Sequence, residues 1–295
     1  MAPAAKARMN QTAAKARKSP PAAKARKSPP AAKARIDQTA AKPRTDRPAA
    51  GKRKRAAKPR SAALLTPVHV IDRLAAEAPL TPRRPHGDPI VELVLTLLSQ
   101  NTSDHNSGRA FQRLIDTFPT WDAAIAAPLQ AVEDAIRIGG LAKTKAPRLQ
   151  ALLRSLRDRL GDNWDPAPLS AMSIPEAKDW LTSLPGIGPK TAACVLLFSL
   201  GRPALPVDTH VHRVSQRLGL IGPKVNPVAA HDALEAQMPP PHYYDYHVAV
   251  IRHGRRVCKA QRPRCDACVL ADGCPSAFTF ADLATPSPTQ KRAPR

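Results

Sequence analysis

Four of the chain's five cysteines, Cys258, Cys265, Cys268 and Cys274, stand in the pattern C-x6-C-x2-C-x5-C. No other feature narrows the possible folds so far. In a chain of 295 residues so dense a thiol set is not a disulfide scaffold. It points to a metal centre in a reducing compartment. Structural zinc sites usually present two short-spaced cysteine pairs, and here only Cys265 and Cys268 are so spaced. Four cysteines in one continuous loop suit an iron–sulfur cubane, with zinc as the alternative. The fifth, Cys194, lies among Ala193, Val195 and Leu196 and reads as a buried structural thiol.

The loop is basic: Lys259, Arg262 and Arg264 lie inside its first interval, a face suited to a phosphate backbone. The formal net charge of +23 is nevertheless concentrated elsewhere. Residues 1–60 hold 19 Lys and Arg against 2 acids, and the rest of the chain holds 27 against 21. Within that tail AAKARKSPP occurs twice in succession, at Ala13–Pro21 and Ala22–Pro30, and eight prolines interrupt it. A segment with almost nothing apolar beyond alanine does not offset its chain entropy, so 1–60 is expected to be disordered. Residues 281–295 are expected to be flexible. No run approaches the roughly 18–20 apolar residues of a spanning helix, so no membrane association is expected. The first thirty residues lack the apolar stretch of a secretory signal.

From about Leu64 the apolar residues recur at helical spacing and strand-like alternation is scarce, so the body is read as all-α. Helices are expected over Ile90–Gln100, Pro147–Leu160, Lys190–Leu200 and Tyr244–Arg252, among others. Between two of them runs Leu184–Ala192, LPGIGPKTA. Gly186 and Gly188 let the backbone turn tightly and approach a ligand. Pro189 suits the first position of the next helix, whose free N–H groups would face an anion such as a DNA phosphate. Lys190 follows, where the dipole and partial burial are expected to lower its pKa and make it a nucleophilic amine. Asp208, in Leu205–Arg213 (LPVDTHVHR), is placed to cap a second helix while facing the same cleft. A lysine and an aspartate at two adjacent helix starts supply a nucleophile and a carboxylate that steadies positive charge or moves protons.

The hairpin, the VDTH segment and the cysteine loop, in this order, resemble the endonuclease III family of base-excision DNA glycosylases, over roughly Leu64 to Pro275. The resemblance implies a two-domain helical fold: a six-helix bundle with the helix-hairpin-helix at 82–202, and a [4Fe–4S] cluster domain at 61–81 and 203–280. It implies Lys190 as the amine that attacks the sugar C1′, Asp208 as the essential aspartate, and the four cysteines as cluster ligands. The implied partner is double-stranded DNA carrying damaged bases or abasic sites, with oxidised pyrimidines as lesions and a monomer working at the cytoplasmic nucleoid. Gln100 and Asn101 stand where the family fills the gap left by a flipped base, Asn101 replacing a usual Gln. Leu141 matches the family's apolar wedge, with Ala142 and Lys143 in place of Tyr-Asn, and Pro189 replaces an Arg before the catalytic lysine. His210 is a further candidate contact. The rival readings are a relative with shifted base choice and a catalytically silent DNA-compacting protein, which would have no need of the Lys190–Asp208 pair. The basic tail reads as a sequence-independent tether to DNA phosphates, so deleting residues 1–60 is expected to flatten the salt dependence of DNA binding without lowering saturating turnover; an unchanged slope would remove that reading.

Overall fold

The computed structural model describes residues 65–82 and 84–280. The expectations for 1–60 and 281–295 fall outside the described residues. Within them the protein is all-α, with twelve α-helices and no strand. In chain order these are α1 Pro67–Glu77, α2 Pro89–Ser99, α3 Asp104–Thr117, α4 Trp121–Ala126, α5 Leu129–Ile136 and α6 Ala142–Leu160. They continue as α7 Ala167–Ala171, α8 Ile174–Thr182, α9 Pro189–Cys194, α10 Thr209–Arg217, α11 Ala229–Glu235 and α12 Tyr243–Arg256.

Side chains cap half of the helix starts. Thr66, Asp88, Ser103, Thr120 and Asp208 each accept a backbone N–H from the first turn of the helix they precede. Ser173 and Glu176 close a reciprocal capping box on α8. The apolar faces then sort into two cores. One is built on α2, α3, α6, α8 and α9, with Leu98, Leu114, Leu149, Leu153 and Leu181 fully buried. The other joins α1, α10 and α12 through Val70, Leu74, Val211, Val214, Tyr246 and Val250. Tyr243 and Tyr246 are buried, and Tyr244 stacks edge-on against Phe198, so all three tyrosines of this segment serve packing.

Three boundaries differ from the sequence expectation. α6 begins at Ala142 instead of Pro147, which sits inside the helix and forfeits only a bond to the Lys143 carbonyl. The helix carrying Lys190 changes character: after Cys194 it runs on as a π-turn over Val195–Ser199. α12 extends to Arg256 because its last turn packs directly against α10.

Buried Gln150 closes the end of α4. Its side-chain amide donates to the carbonyls of Ala124 (3.0 Å), Ile125 (3.3 Å) and Ala127 (2.9 Å). Gln150→Met is therefore expected to cost about 1–3 kcal/mol by leaving those carbonyls unpaired. Thermal melting should show it as a loss of several degrees in Tm.

Candidate active site and iron–sulfur loop

The hairpin turns between α8 and α9. Gly186 has φ +77, a conformation that side-chain-bearing residues rarely adopt. Gly188 is extended, and nothing lies within 4 Å of where its Cβ would sit, so its backbone is open to close approach. Lys190 is the second residue of α9 and points into a cleft of about 1180 Å³. Asp208 reaches the same cleft from the start of α10. Its Oδ1 accepts from the N–H groups of His210 (2.8 Å) and Val211 (2.7 Å), which leaves Oδ2 uncommitted. His210 lines the cleft too, over Gly254 of α12, where an added Cβ would come within 3.0 Å of the imidazole Cβ.

The charge on Lys190 is not what its position in the sequence predicts. Burial, the largest influence, pulls its pKa down, but Cys194, Asp208 and Glu92 together leave it above the ordinary lysine value. Burial pushes the Cys194 thiol up to about 11, so at neutral pH that neighbour is uncharged. Cys194, which takes a hydrogen bond from Lys190, is the first of the groups that raise it, and Asp208 and Glu92 follow. The expected lowering is corrected to a raising, because the fold sets Cys194 and two carboxylates around the amine.

His247 of α12 also lines the cleft. Burial lowers its pKa to about 4, and its Nδ1–H donates to the Pro206 carbonyl at 2.7 Å. It is a neutral imidazole at pH 7. Asp104 faces the cleft from α3, but Ser103 is the cap, while Asp104 pairs with Arg255 of α12 at 3.0 Å.

Of the other candidates, Asn101 lines the cleft with φ +54, just after Gln100 ends α2, while Leu141 precedes α6 with φ +54 and half its surface exposed. Both left-handed conformations are strained for side-chain-bearing residues. One residue ties these two loops together. The buried ammonium of Lys145 donates to the Leu98 carbonyl at 2.7 Å and the Gly139 carbonyl at 3.1 Å. Its burial lowers its pKa. Sequence reading missed Lys145, and also Glu92 and His247, because each acts through a neighbour distant along the chain.

The four cysteines ring one cavity beside the second core, closed on its outer side by Arg217 and Phe280. Among the described residues no three His, Cys, Asp or Glu side chains converge on one ion, whereas a lone zinc needs its sulfurs about 2.3 Å from a single centre. Thiols set around a volume fit a cluster. Burial and neighbouring thiols raise Cys268 to about 11 and raise Cys274, while backbone N–H groups of Leu270, Ser276 and Ala277 are directed at those sulfurs. Arg217 Nη1 lies 3.4 Å from the Cys258 sulfur. N–H donors aimed at buried sulfurs are what a thiolate-held cluster requires. Lys259, Arg262 and Arg264 are exposed on the outer face of this loop.

The comparisons place this arrangement. Residues 94–240 match the HhH-GPD superfamily base excision DNA repair protein, and 258–274 match the iron–sulfur binding domain of endonuclease III. The fold and cleft are thus those of a helix-hairpin-helix base-excision repair protein. The chain is 34% identical over 187 residues to endonuclease III of Thermotoga maritima, spanning 63% of this chain and 83% of that one. A solved structure of a non-covalent endonuclease III–DNA complex aligns at 31% identity with TM-score 0.62, covering 74% of this chain and 99% of that one. A trapped endonuclease III–DNA covalent intermediate aligns at 32% identity and TM-score 0.61, over 73% and 98%. The chain belongs to the endonuclease III family, and its cofactor is a [4Fe–4S] cluster.

Lys145→Met is expected to cost about 1.5–3 kcal/mol, the worth of hydrogen bonds from a charged donor. Hydrogen exchange should quicken over residues 98–103 and 139–145 while α8 and α12 keep their protection.

Proposed function

We propose that this protein is a base-excision DNA glycosylase and abasic-site lyase that removes oxidised pyrimidines from duplex DNA. The observation carrying the reading is that Lys190 and Asp208, 18 positions apart in sequence, face one cleft from the starts of α9 and α10. The cleft lies between the two cores, which we read as the domains 82–202 and 61–81 with 203–280. We place the protein as a monomer at the cytoplasmic nucleoid. Among the described residues no helix is long and apolar enough to cross a membrane.

The damaged nucleotide is flipped out of the stack to reach Lys190. Asn101 with Gln100 fills the gap, and Leu141 wedges the duplex. The two strained backbones then have a use: they hold side chains out where a packed loop would withdraw them. Gly186, Gly188 and the exposed Lys259, Arg262 and Arg264 contact phosphates, and His210 lines the pocket. The free site holds Lys190 as an ammonium, so its proton must leave first, and the open Oδ2 of Asp208 is the acceptor at hand. The amine then attacks C1′, the N-glycosidic bond breaks, and the base leaves with a proton. Ring opening gives a Schiff base to Lys190. Loss of a C2′ proton expels the 3′ phosphate and nicks the strand. Cys258, Cys265, Cys268 and Cys274 would hold the [4Fe–4S] cluster, which supplies a folded, charged loop for docking.

Borohydride trapping on duplexes carrying thymine glycol, 5-hydroxycytosine or an abasic site tests the reading. A covalent adduct is expected from the wild type and none from Lys190→Ala. Because a raised pKa keeps the amine protonated at neutrality, the trapping rate should climb with pH into the alkaline range. Asp208→Asn removes one carboxylate that holds the ammonium, so it should move the profile to lower pH. It should also cut the maximal rate about 10²–10⁴-fold through loss of the proton acceptor. No adduct from cluster-intact wild type on any duplex would demote Lys190 to a phosphate contact.

A further inference from the structure

Glu92 has no role in the hairpin or the cysteine loop, yet it faces the cleft. It sits in the first turn of α2, 16% exposed, and lines the cleft with Thr96, Lys190 and Cys194. Its Oε1 accepts from the Thr96 hydroxyl at 3.2 Å, and its Oε2 lies 3.0 Å from Nε2 of His86. The His86 tautomer follows from its other nitrogen. Asp88 N–H donates to Nδ1 at 3.3 Å, so the proton is on Nε2 and is given to Glu92. The imidazole is itself pinned: His86 N–H donates to the Phe198 carbonyl (3.4 Å) and Gly87 N–H to the Ser199 carbonyl (2.8 Å). A carboxylate offers about four acceptor sites, and two donors occupy two of them. The rest are free, in a carboxylate held too firmly to turn away.

Glu92 shares the cleft with Lys190, and Cys194 lies one turn beyond Lys190 on α9, buried. When Lys190 meets the sugar carbon, the base bonded to that carbon shares the cleft that Glu92 lines.

We propose that Glu92 reads position 4 of the flipped pyrimidine and selects an amino group over an oxo group, so that oxidised cytosines are preferred to the matching uracils. This rests on the glycosylase reading above. An exocyclic amine donates a charge-assisted hydrogen bond to a carboxylate. An oxo group instead sets its lone pairs against an acceptor with no proton to give, in a half-buried site where the repulsion is weakly screened.

5-Hydroxycytosine and 5-hydroxyuracil differ at position 4 and, with it, at the neighbouring N3, an acceptor in the first and an N–H in the second. With full-length, cluster-loaded protein, kcat/KM on each is measured opposite guanine and normalised to cleavage of a preformed abasic site, which has no base to read. The wild type is expected to favour 5-hydroxycytosine by about tenfold. Glu92→Gln is expected to bring the ratio close to one, because an amide presents either an oxygen or an NH2. A wild-type ratio near one, or in favour of 5-hydroxyuracil, overturns the proposal without any variant. So does a Gln variant that slows both lesions and the abasic duplex in equal proportion, which would assign Glu92 to the proton on Lys190. Absence of abasic-site cleavage by the wild type would sink the lyase reading instead, a distinguishable failure.

Discussion

The five residues Val195–Ser199 decide how the two cores meet. Leu196 packs into one core and its neighbour Leu197 into the other. The π-turn here bonds Leu200 N–H to the Val195 carbonyl five residues back, and the Ser199 hydroxyl to the same carbonyl at 2.6 Å. A widened turn redirects successive side chains and leaves carbonyls for other partners. Those of Phe198 and Ser199 take the N–H groups of His86 and Gly87, which fixes the start of α2 against the end of the segment bearing Lys190. The cleft is the space left where that seam opens, so Lys190, Glu92 and Asp208 are held by the same joint that joins the cores.

Five basic residues of the body are spent on closing helix ends or the loops beside them. Lys145 bonds the carbonyls at the end of α2, and Arg252 bonds Leu74 (3.2 Å), Pro79 (3.1 Å) and Ala78 beyond α1. Arg202 takes Leu169 and Met172 near α7, and Arg213 takes Gly254 and Cys258 at the end of α12. Arg217 bonds Lys259 and Ala260 at the entry to the cysteine loop and stacks on Phe280. A helix leaves its last carbonyls unpaired with a partial negative charge, and a long cation meets both needs. Counting positive charge therefore overstates the DNA-facing surface. Exposure separates Lys259, Arg262 and Arg264 from the structural arginines, and sequence position does not.

Electrostatics in the cleft oppose the simplest account of a reactive lysine. A helix start and a half-buried setting both favour the neutral amine, yet Cys194, Asp208 and Glu92 together outweigh them. Lys190 thus stands in the cleft as a cation, and the nucleophile proposed for it requires that its proton be taken first. Burial keeps the Cys194 thiol protonated at neutral pH, where it takes a hydrogen bond from Lys190.

The sequence alone determined the all-helical body, because apolar spacing is a local signal, and it displayed the hairpin, Lys190, Asp208 and the four cysteines, because short motifs keep those residues at fixed separations. Its local expectations slipped where distant groups intervene: at the start of α6, from which Lys145 reaches Leu98, and at the π-turn, where two cores meet. Only the tertiary structure brought Glu92 and Asp208 into one cleft with Lys190, where they add to the raising of its pKa that Cys194 begins. A side chain's charge and hydrogen bonds depend on everything within a few ångströms, and most of what surrounds Lys190 comes from helices tens of residues away.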